Sequence, residues 1–355
     1  MRMERMNQPE EISDVREAHR FDTRALAEYL RGRLGEFPEH FEVGQFGYGQ
    51  SNPTFILKTP QRDYILRKKP PGELLPSAHA VEREYRVLKA LEPTDVPVPH
   101  PYLLCEDPHV IGTPFYLMEK LEGRVFRDSI GSDLEDPAER AAIFDAMNDT
   151  LARLHNVSPD AVGLSDFGRP GNYLARQVSR WTKQYRASQT HTIESMEALI
   201  EWLPDNTPED ESAAIVHGDY RIENLMLHPT EPRVIGVLDW ELSTLGHPLA
   251  DLAYNCLIYH IPYSNRKRGV VGLDLEALGI PTEEAYKAAY CRRTGRKQIH
   301  HWPFFIAFSL FRLAAISQGV YKRGIDGNAS SSVATTYRDR GQALADKAHE
   351  IIFNL

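Results

Sequence analysis

Two carboxylates and one amide, set around a short predicted hairpin, constrain this chain more than any other feature. They lie in HGDYRIENLMLHPTEPRVIGVLDWELSTLGHPLADLAYN, which runs from His217 to Asn255. An apolar approach at 213–216 leads to Asp219, and Asn224 follows in D-x-x-x-x-N spacing. Leu225, Met226 and Leu227 read as a strand, and Pro229, Glu231 and Pro232 as a turn. A second apolar run at 234–238 stops at Asp239. Asp219, Asn224 and Asp239 are therefore expected at the ends of neighbouring short strands, where they can converge. Carboxylate and amide oxygens are hard ligands of the kind Mg²⁺ accepts alongside substrate phosphates. Asp and Asn are also ordinary turn and capping residues. A second Asp after an apolar run, and His217 just before the first, add weight to the metal reading.

A chain of 355 residues is long enough for two lobes with separate cores. The net charge of −9 argues against a surface built for nucleic acid or anionic membrane. Cys105, Cys256 and Cys291 are widely separated with no C-x-x-C pairing, which fits free thiols in a reducing compartment and argues against a disulfide framework or a zinc site. The charged N-terminus has no apolar core of a secretory signal. The run at 304–315 is broken by Ser309 and Arg312, so no membrane span is expected. These features predict a cytoplasmic protein.

Residues 1–20 read as a polar arm. Leu26, Leu30 and Leu34 recur at helical spacing, predicting a helix at 21–34 that stops at Gly35. Residues 41–44 form a candidate strand, and 54–57 with 64–67 a hairpin. Gly47, Gly49, Ser51 and Asn52 make a tight polar loop before it, where small residues let backbone N–H groups approach a phosphate. A helix over 78–91 presents Val81, Tyr85, Leu88 and Leu91, with Glu84 inside that face and Glu82 outside it. A carboxylate in a buried stripe needs a partner. Arg67 is the first candidate and Lys68 or Lys69 the fallback; the alternative leaves Glu84 solvated at the edge. With strands at 103–105 and 114–119, a five-stranded sheet and one helix account for residues 41–120. Beyond a crossing at 121–123 the pattern turns helical: a helix starts at Asp136–Pro137, and 173–185, 193–203, 249–259, 283–294, 303–322 and 333–355 follow. His155 reads as a packing or capping residue.

In this order the pieces resemble the aminoglycoside phosphotransferase family of the protein-kinase-like fold, from about residue 40 to the C-terminal helices. HGDYRIEN at 217–224 is similar to that family's catalytic loop, and LDWE at 238–241 to its metal-binding segment. The resemblance implies an α+β architecture: an N-lobe at 21–121 with an antiparallel sheet and helix, and a mainly helical C-lobe at 122–355. It makes Asp219 the catalytic residue that receives the substrate hydroxyl's proton, and Asn224 and Asp239 the Mg²⁺ ligands. ATP is the implied co-substrate, bound by Gly49, Ser51, Asn52, Arg67 and Glu84, with adenine near Glu119 and Leu121. His217 and Asp251 would support the loop from behind, although Asp251 could equally cap a helix. Arg67 stands where kinases carry Lys, which keeps the charge but needs more room. D-W-E replaces D-F-G, and no A-P-E segment is present, which disfavours a protein substrate.

The strings GQSNPTFIL, YILRKKPPGELLPSAHAVEREYRVLKAL and DWELSTLGHPLADLAYN are similar more narrowly to the kinase domain of acyl-CoA dehydrogenase family members 10 and 11 and to free-standing bacterial relatives. That resemblance implies phosphorylation of a 4-hydroxyacyl-CoA hydroxyl, creating a leaving group for an acyl-CoA dehydrogenase expected to be a separate partner protein. The basic stretches at 265–269 or 292–297 could receive CoA phosphates, or could simply face water. An aminoglycoside or other small alcohol as acceptor, and an inactive nucleotide-binding module, are the rival readings.

Overall fold

The computed structural model describes residues 12–47, 52–70, 79–169, 171–209, 212–263, 268–327 and 334–353. The chain divides into two compact units, Met1–Val125 with Leu225–Ser243, and Phe126–Asn224 with Thr244–Leu355.

The first unit begins with β1 (Ile12–Ser13) and α1 (Thr23–Leu34). Asp22 caps α1 by accepting from the Arg24 and Ala25 N–H groups, and Gly35 ends it at φ +76°. Then come β2 (Glu42–Phe46), β3 (Thr54–Lys58), β4 (Asp63–Lys68), α2 (Val81–Leu91), β5 (Pro101–Cys105) and β6 (Phe115–Glu119). They form an antiparallel sheet in the order β1-β2-β3-β4-β6-β5. Among the described residues it has six strands, where the sequence suggested five. The extra strand comes from the presumed arm, where Ile12 and Ser13 pair with Phe46 and Gln45. Two residues carry too little periodicity to announce a strand. Leu26 and Leu30 of α1 pack with Phe55, Leu66, Phe115 and Leu117 of the sheet in one apolar core.

The second unit contains α3 (Pro137–Asn156), α4 (Tyr173–Ser188), α5 (Glu194–Asp205) and β7 (Ala214–Val216). Asp136 caps α3 with Pro137 in its first turn, as the sequence indicated. The chain next forms the hairpin β8 (Leu225–Leu227) and β9 (Val234–Val237), which belongs to the first unit. Its attachment is local: Leu227 bonds Arg124 in both directions, and the Val237 N–H donates to Pro97 O. A single cut at 121/122 does not express this return. Leu225 pairs with Val237, so β8 begins where β9 ends, and Asp239 follows two residues on.

The remaining elements are β10 (Thr244–Gly246), α6 (Pro248–Cys256), α7 (Leu275–Leu278), α8 (Glu283–Thr294), α9 (Trp302–Ile325) and α10 (Tyr337–Phe353), all in the second unit. β10 pairs antiparallel with β7, Leu245 facing Ile215. By length and composition α9 could cross a membrane, contrary to the expectation that no run approaches that size. Its apolar window is 67% buried inside the protein, so it serves here as a core helix. The three cysteines are free thiols, as their spacing suggested.

Candidate active site

In the second unit, β7 delivers the chain to a loop whose first two backbone N–H groups are held by one buried carboxylate. Asp251, in the first turn of α6, accepts from the His217 N–H at 2.7 Å and the Gly218 N–H at 2.9 Å. His155 Nε2 lies 3.3 Å from the same carboxylate, and His155 Nδ1 is 2.7 Å from the Tyr290 hydroxyl. Asp251 is thus a clamp on the loop; capping of α6 falls instead to His247, which accepts the Leu249 N–H. Gly218 sits at φ +84°, a conformation that penalises any Cβ. Its carbonyl accepts from Arg312 on α9 at 2.7 Å. His217 is buried, and its Nδ1 accepts the Asp219 N–H at 3.2 Å.

Burial alone would push the Asp251 carboxyl up; the His155 and His217 contacts outweigh it and hold its pKa below the ordinary 3.8. A depressed carboxylate contributes stability that is intact above 3.8 and drains away as pH falls through the folded value. Asp251→Asn keeps one acceptor and leaves a buried backbone N–H unpaired, a loss of about 1–3 kcal/mol at neutral pH. Urea midpoints of the two proteins should differ by a constant amount at pH 5–8, and the gap should narrow only below the ordinary carboxylate range.

The loop turns the Asp219 carboxylate toward three partners. Tyr254 on α6 donates its hydroxyl to Oδ1 at 2.6 Å, Asn224 Nδ2 donates to Oδ2 at 2.9 Å, and Arg221 Nε lies 3.3 Å from Oδ2. Burial and then the Asp219 charge raise the Tyr254 phenol well above its usual range, so it stays a neutral donor. Arg312 lies against the Tyr254 ring at 4.9 Å and the Trp181 ring at 5.4 Å. Asn224 Nδ2 also donates to the Asp219 carbonyl at 2.8 Å. With its nitrogen fully used, the amide leaves an oxygen as its free chemistry.

The first unit holds a second cluster. Strand alternation sends Arg67 and Lys68 to opposite faces of β4. Lys68 is buried against the Phe21 and Phe55 rings, and burial lowers its pKa. Lys69 pairs with Glu82 at 2.9 Å. Arg67 meets Glu84, the inward carboxylate of α2, with Nε 3.0 Å from Oε2. The buried carboxylate also accepts from Asn52 Nδ2 at 2.6 Å and from the Tyr116 hydroxyl at 3.0 Å. Arg67 reaches on to Asp239, donating to Oδ1 at 2.7 Å, with Glu241 at 3.8 Å. Burial disfavours the charged guanidinium, but Glu84, Asp239 and Glu241 raise its pKa and keep it protonated. Asp239 itself adopts φ +64°, ψ +62° at the end of the hairpin. A non-glycine residue in that region carries strain. The following turn is locked by Trp240 Nε1, which donates to Val237 O at 2.9 Å.

Two positions have polar groups already engaged within the first unit. Asn52, expected in the nucleotide loop, is buried, with its side chain bonded to Glu84 and His79. Glu119, expected to offer backbone to adenine, has its N–H bonded to His100 O at 2.8 Å and its Oε2 accepting from the His100 N–H. Leu121 lies against Gly236 of the hairpin. Gly49 and Ser51 fall outside the described residues. Asp239 offers a carboxylate, and Asn224 an amide oxygen; both donor types suit Mg²⁺. Sequence reading missed Tyr254 and Arg312. Tyr254 lies three residues after Asp251, one helical turn on the same face, and that spacing was the available signal. Arg312 was taken only as an interruption of an apolar run, although a charge there needs a partner for the same reason Glu84 does. Of the two basic stretches, Arg293 is spent on Asp145 and Asn148.

A model of the phosphotransferase enzyme family matches residues 42–297. A crystal structure from Ralstonia eutropha, described as a putative aminoglycoside phosphotransferase, is 49% identical, covers 94% of this chain and 98% of its own, and superposes with a TM-score of 0.85. A mutant aminoglycoside phosphotransferase solved with AMP-PNP and hygromycin B is 14% identical, with a TM-score of 0.60 over 93% of this chain and 99% of its own. The architecture is thus the protein-kinase-like one of these enzymes, as expected. Mouse acyl-CoA dehydrogenase family member 10 is 50% identical over 326 residues, covering 91% of this chain. The chain spans 30% of that longer protein.

Proposed function

This chain belongs to the phosphotransferase enzyme family, and we propose that it moves the γ-phosphoryl group of ATP to the hydroxyl of a small molecule, a 4-hydroxyacyl-CoA. The observation that carries this reading is the held carboxylate of Asp219. Two hydrogen bonds and one ion pair occupy three of its roughly four lone-pair sites, so capacity remains for one incoming hydroxyl. In this reading Asp219 orients that hydroxyl and takes its proton as the O–P bond forms. Asn224 and Asp239 are the residues whose oxygens would hold Mg²⁺, and the ion would supply charge neutralisation on the transferring phosphoryl group. Arg67, fixed by Glu84, holds Asp239 at its set position. Little covalent chemistry falls to the protein; its work is positioning.

The acyl-CoA acceptor is supported by the likeness to acyl-CoA dehydrogenase family member 10. A phosphorylated 4-hydroxyl would serve as leaving group for an acyl-CoA dehydrogenase acting next, the partner this reading requires. ATP consumption measured with hydroxyacyl-CoAs, aminoglycosides and simple alcohols tests the proposal. Turnover should be largest with a hydroxyacyl-CoA; preference for an aminoglycoside would reassign the acceptor, and no turnover with any would leave an inactive module.

Tyr254 gives a narrower expectation. Tyr254→Phe removes one charge-assisted hydrogen bond from Asp219 and keeps the ring beside Arg312. Turnover should fall about tenfold, the worth of roughly 1.4 kcal/mol, with KM for ATP unchanged. An unchanged kcat would exclude a positioning role for this hydroxyl.

A further inference from the structure

Arg312 is the one charge in the apolar run at 304–315 of α9, where Phe304–Phe311, Ala314 and Ala315 are buried. A cation in such a setting is expected to find a carboxylate. Among the described residues its partners are instead a carbonyl and two aromatic faces. The Gly218 carbonyl accepts from Nη2 at 2.7 Å, and the guanidinium carbon lies 4.9 Å from the Tyr254 ring centre and 5.4 Å from that of Trp181 on α4. A planar guanidinium can serve all three at once, which a compact ammonium cannot. The arrangement has a cost, because Arg312 Nε and Trp181 Nε1 are buried without an acceptor among the described residues. An unpaired buried donor is destabilising. Stability alone therefore does not account for this cluster.

Two of the Arg312 contacts lead to Asp219. The Gly218 carbonyl belongs to the peptide that carries the Asp219 N–H, and His217 Nδ1 accepts that N–H at 3.2 Å. With Asp251 holding the Gly218 N–H at 2.9 Å, the peptides on both sides of Gly218 are pinned. The other contact runs through Tyr254, whose hydroxyl donates to Asp219 Oδ1 at 2.6 Å. Burial and then the Asp219 charge raise the pKa of that phenol; the Arg312 charge works against them and makes the hydroxyl a stronger donor. Resting on the functional reading above, we infer that Arg312 is a positioning residue for phosphoryl transfer, setting the Asp219 carboxylate from α9 through the Gly218 peptide and the Tyr254 ring. Its part is orientation of the base rather than contact with the transferred group.

The test measures initial rates of the wild type, Arg312→Met, Arg312→Lys, Tyr254→Phe and the Arg312→Met/Tyr254→Phe double variant. Each is assayed with Mg·ATP and the acceptor that the wild type turns over fastest in the panel above. In Arg312→Met, kcat should fall about 10- to 100-fold with KM for ATP within about twofold of wild type, since a small misplacement of the base costs that much. Arg312→Lys keeps a cationic donor for the Gly218 carbonyl and should recover part of kcat. The double variant should lose less than the product of the two single losses, because part of the Arg312 effect runs through the Tyr254 hydroxyl. Should Arg312→Met not fold, Arg312→Gln, which can still donate to the Gly218 carbonyl, takes its place in every comparison. An unchanged kcat, or a fall that Arg312→Lys does not relieve and that multiplies fully with Tyr254→Phe, overturns this inference and leaves the functional reading standing. A wild type that transfers phosphoryl to no hydroxyl overturns the functional reading and this inference with it.

Discussion

Asp219→Asn should lower phosphoryl transfer by about 10²- to 10⁴-fold, the usual worth of a positioned general base, and leave ATP affinity within a few-fold of wild type. The substitution preserves the size of the side chain and can still accept the Tyr254 hydroxyl, which donates at 2.6 Å. It removes the negative charge and the capacity to take a proton. The loop backbone should stay in place because its anchors are elsewhere: Asp251 holds the His217 and Gly218 N–H groups, and Arg312 the Gly218 carbonyl. A loss confined to kcat, measured by steady-state kinetics beside nucleotide titration, would show that the carboxylate acts on the reacting hydroxyl. Wild-type turnover in this variant would remove Asp219 from the mechanism.

Glu84→Ala should unfold or severely weaken the first unit, at a cost of about 3–5 kcal/mol. The substitution strips a buried guanidinium of its most deeply buried carboxylate partner, at 3.0 Å, and leaves the Asn52 amide and the Tyr116 hydroxyl without their acceptor. Unpaired buried donors carry their full desolvation cost, and a buried cation more still. Arg67 would retain Asp239 at 2.7 Å, so the double variant Glu84→Ala/Arg67→Met should recover part of the loss. Equilibrium urea unfolding of the three proteins reads this directly. A Glu84→Ala protein as stable as wild type would show that the pair is dispensable to the fold.

Most of this arrangement was legible in the residues because it follows short-range rules. Glu84 could be placed inside its helix by angular arithmetic, and a buried carboxylate implies a cation nearby. The choice among Arg67, Lys68 and Lys69 was beyond sequence, since it depends on the pleat of β4 and on which face α2 covers. Once the strand is formed, alternation decides it: Lys68 goes to the aromatic core and Arg67 to Glu84. The Asp251 clamp was equally hidden. An Asp in the first turn of a helix reads as dipole compensation, and only the pairing of β10 with β7 and the course of α6 bring it under His217. The side-chain partners of Asn52 and Glu119 were hidden for one reason. Their neighbours along the chain suggested exposed loop backbone, whereas long-range partners, Glu84 and His100, had already claimed their polar groups. The return of the hairpin at 225–243 to the first unit is marked by a pair of backbone bonds to Arg124 and one to Pro97, which no local pattern encodes.

The most direct measurement is a ³¹P NMR time course of the purified chain with Mg·ATP and a 4-hydroxyacyl-CoA. Asp219 acting on an acceptor hydroxyl predicts a new phosphomonoester resonance that grows in step with ADP and is absent with the Asp219→Asn protein. Formation of ADP with inorganic phosphate alone, or a phosphomonoester that persists in the Asp219→Asn protein, would contradict the account.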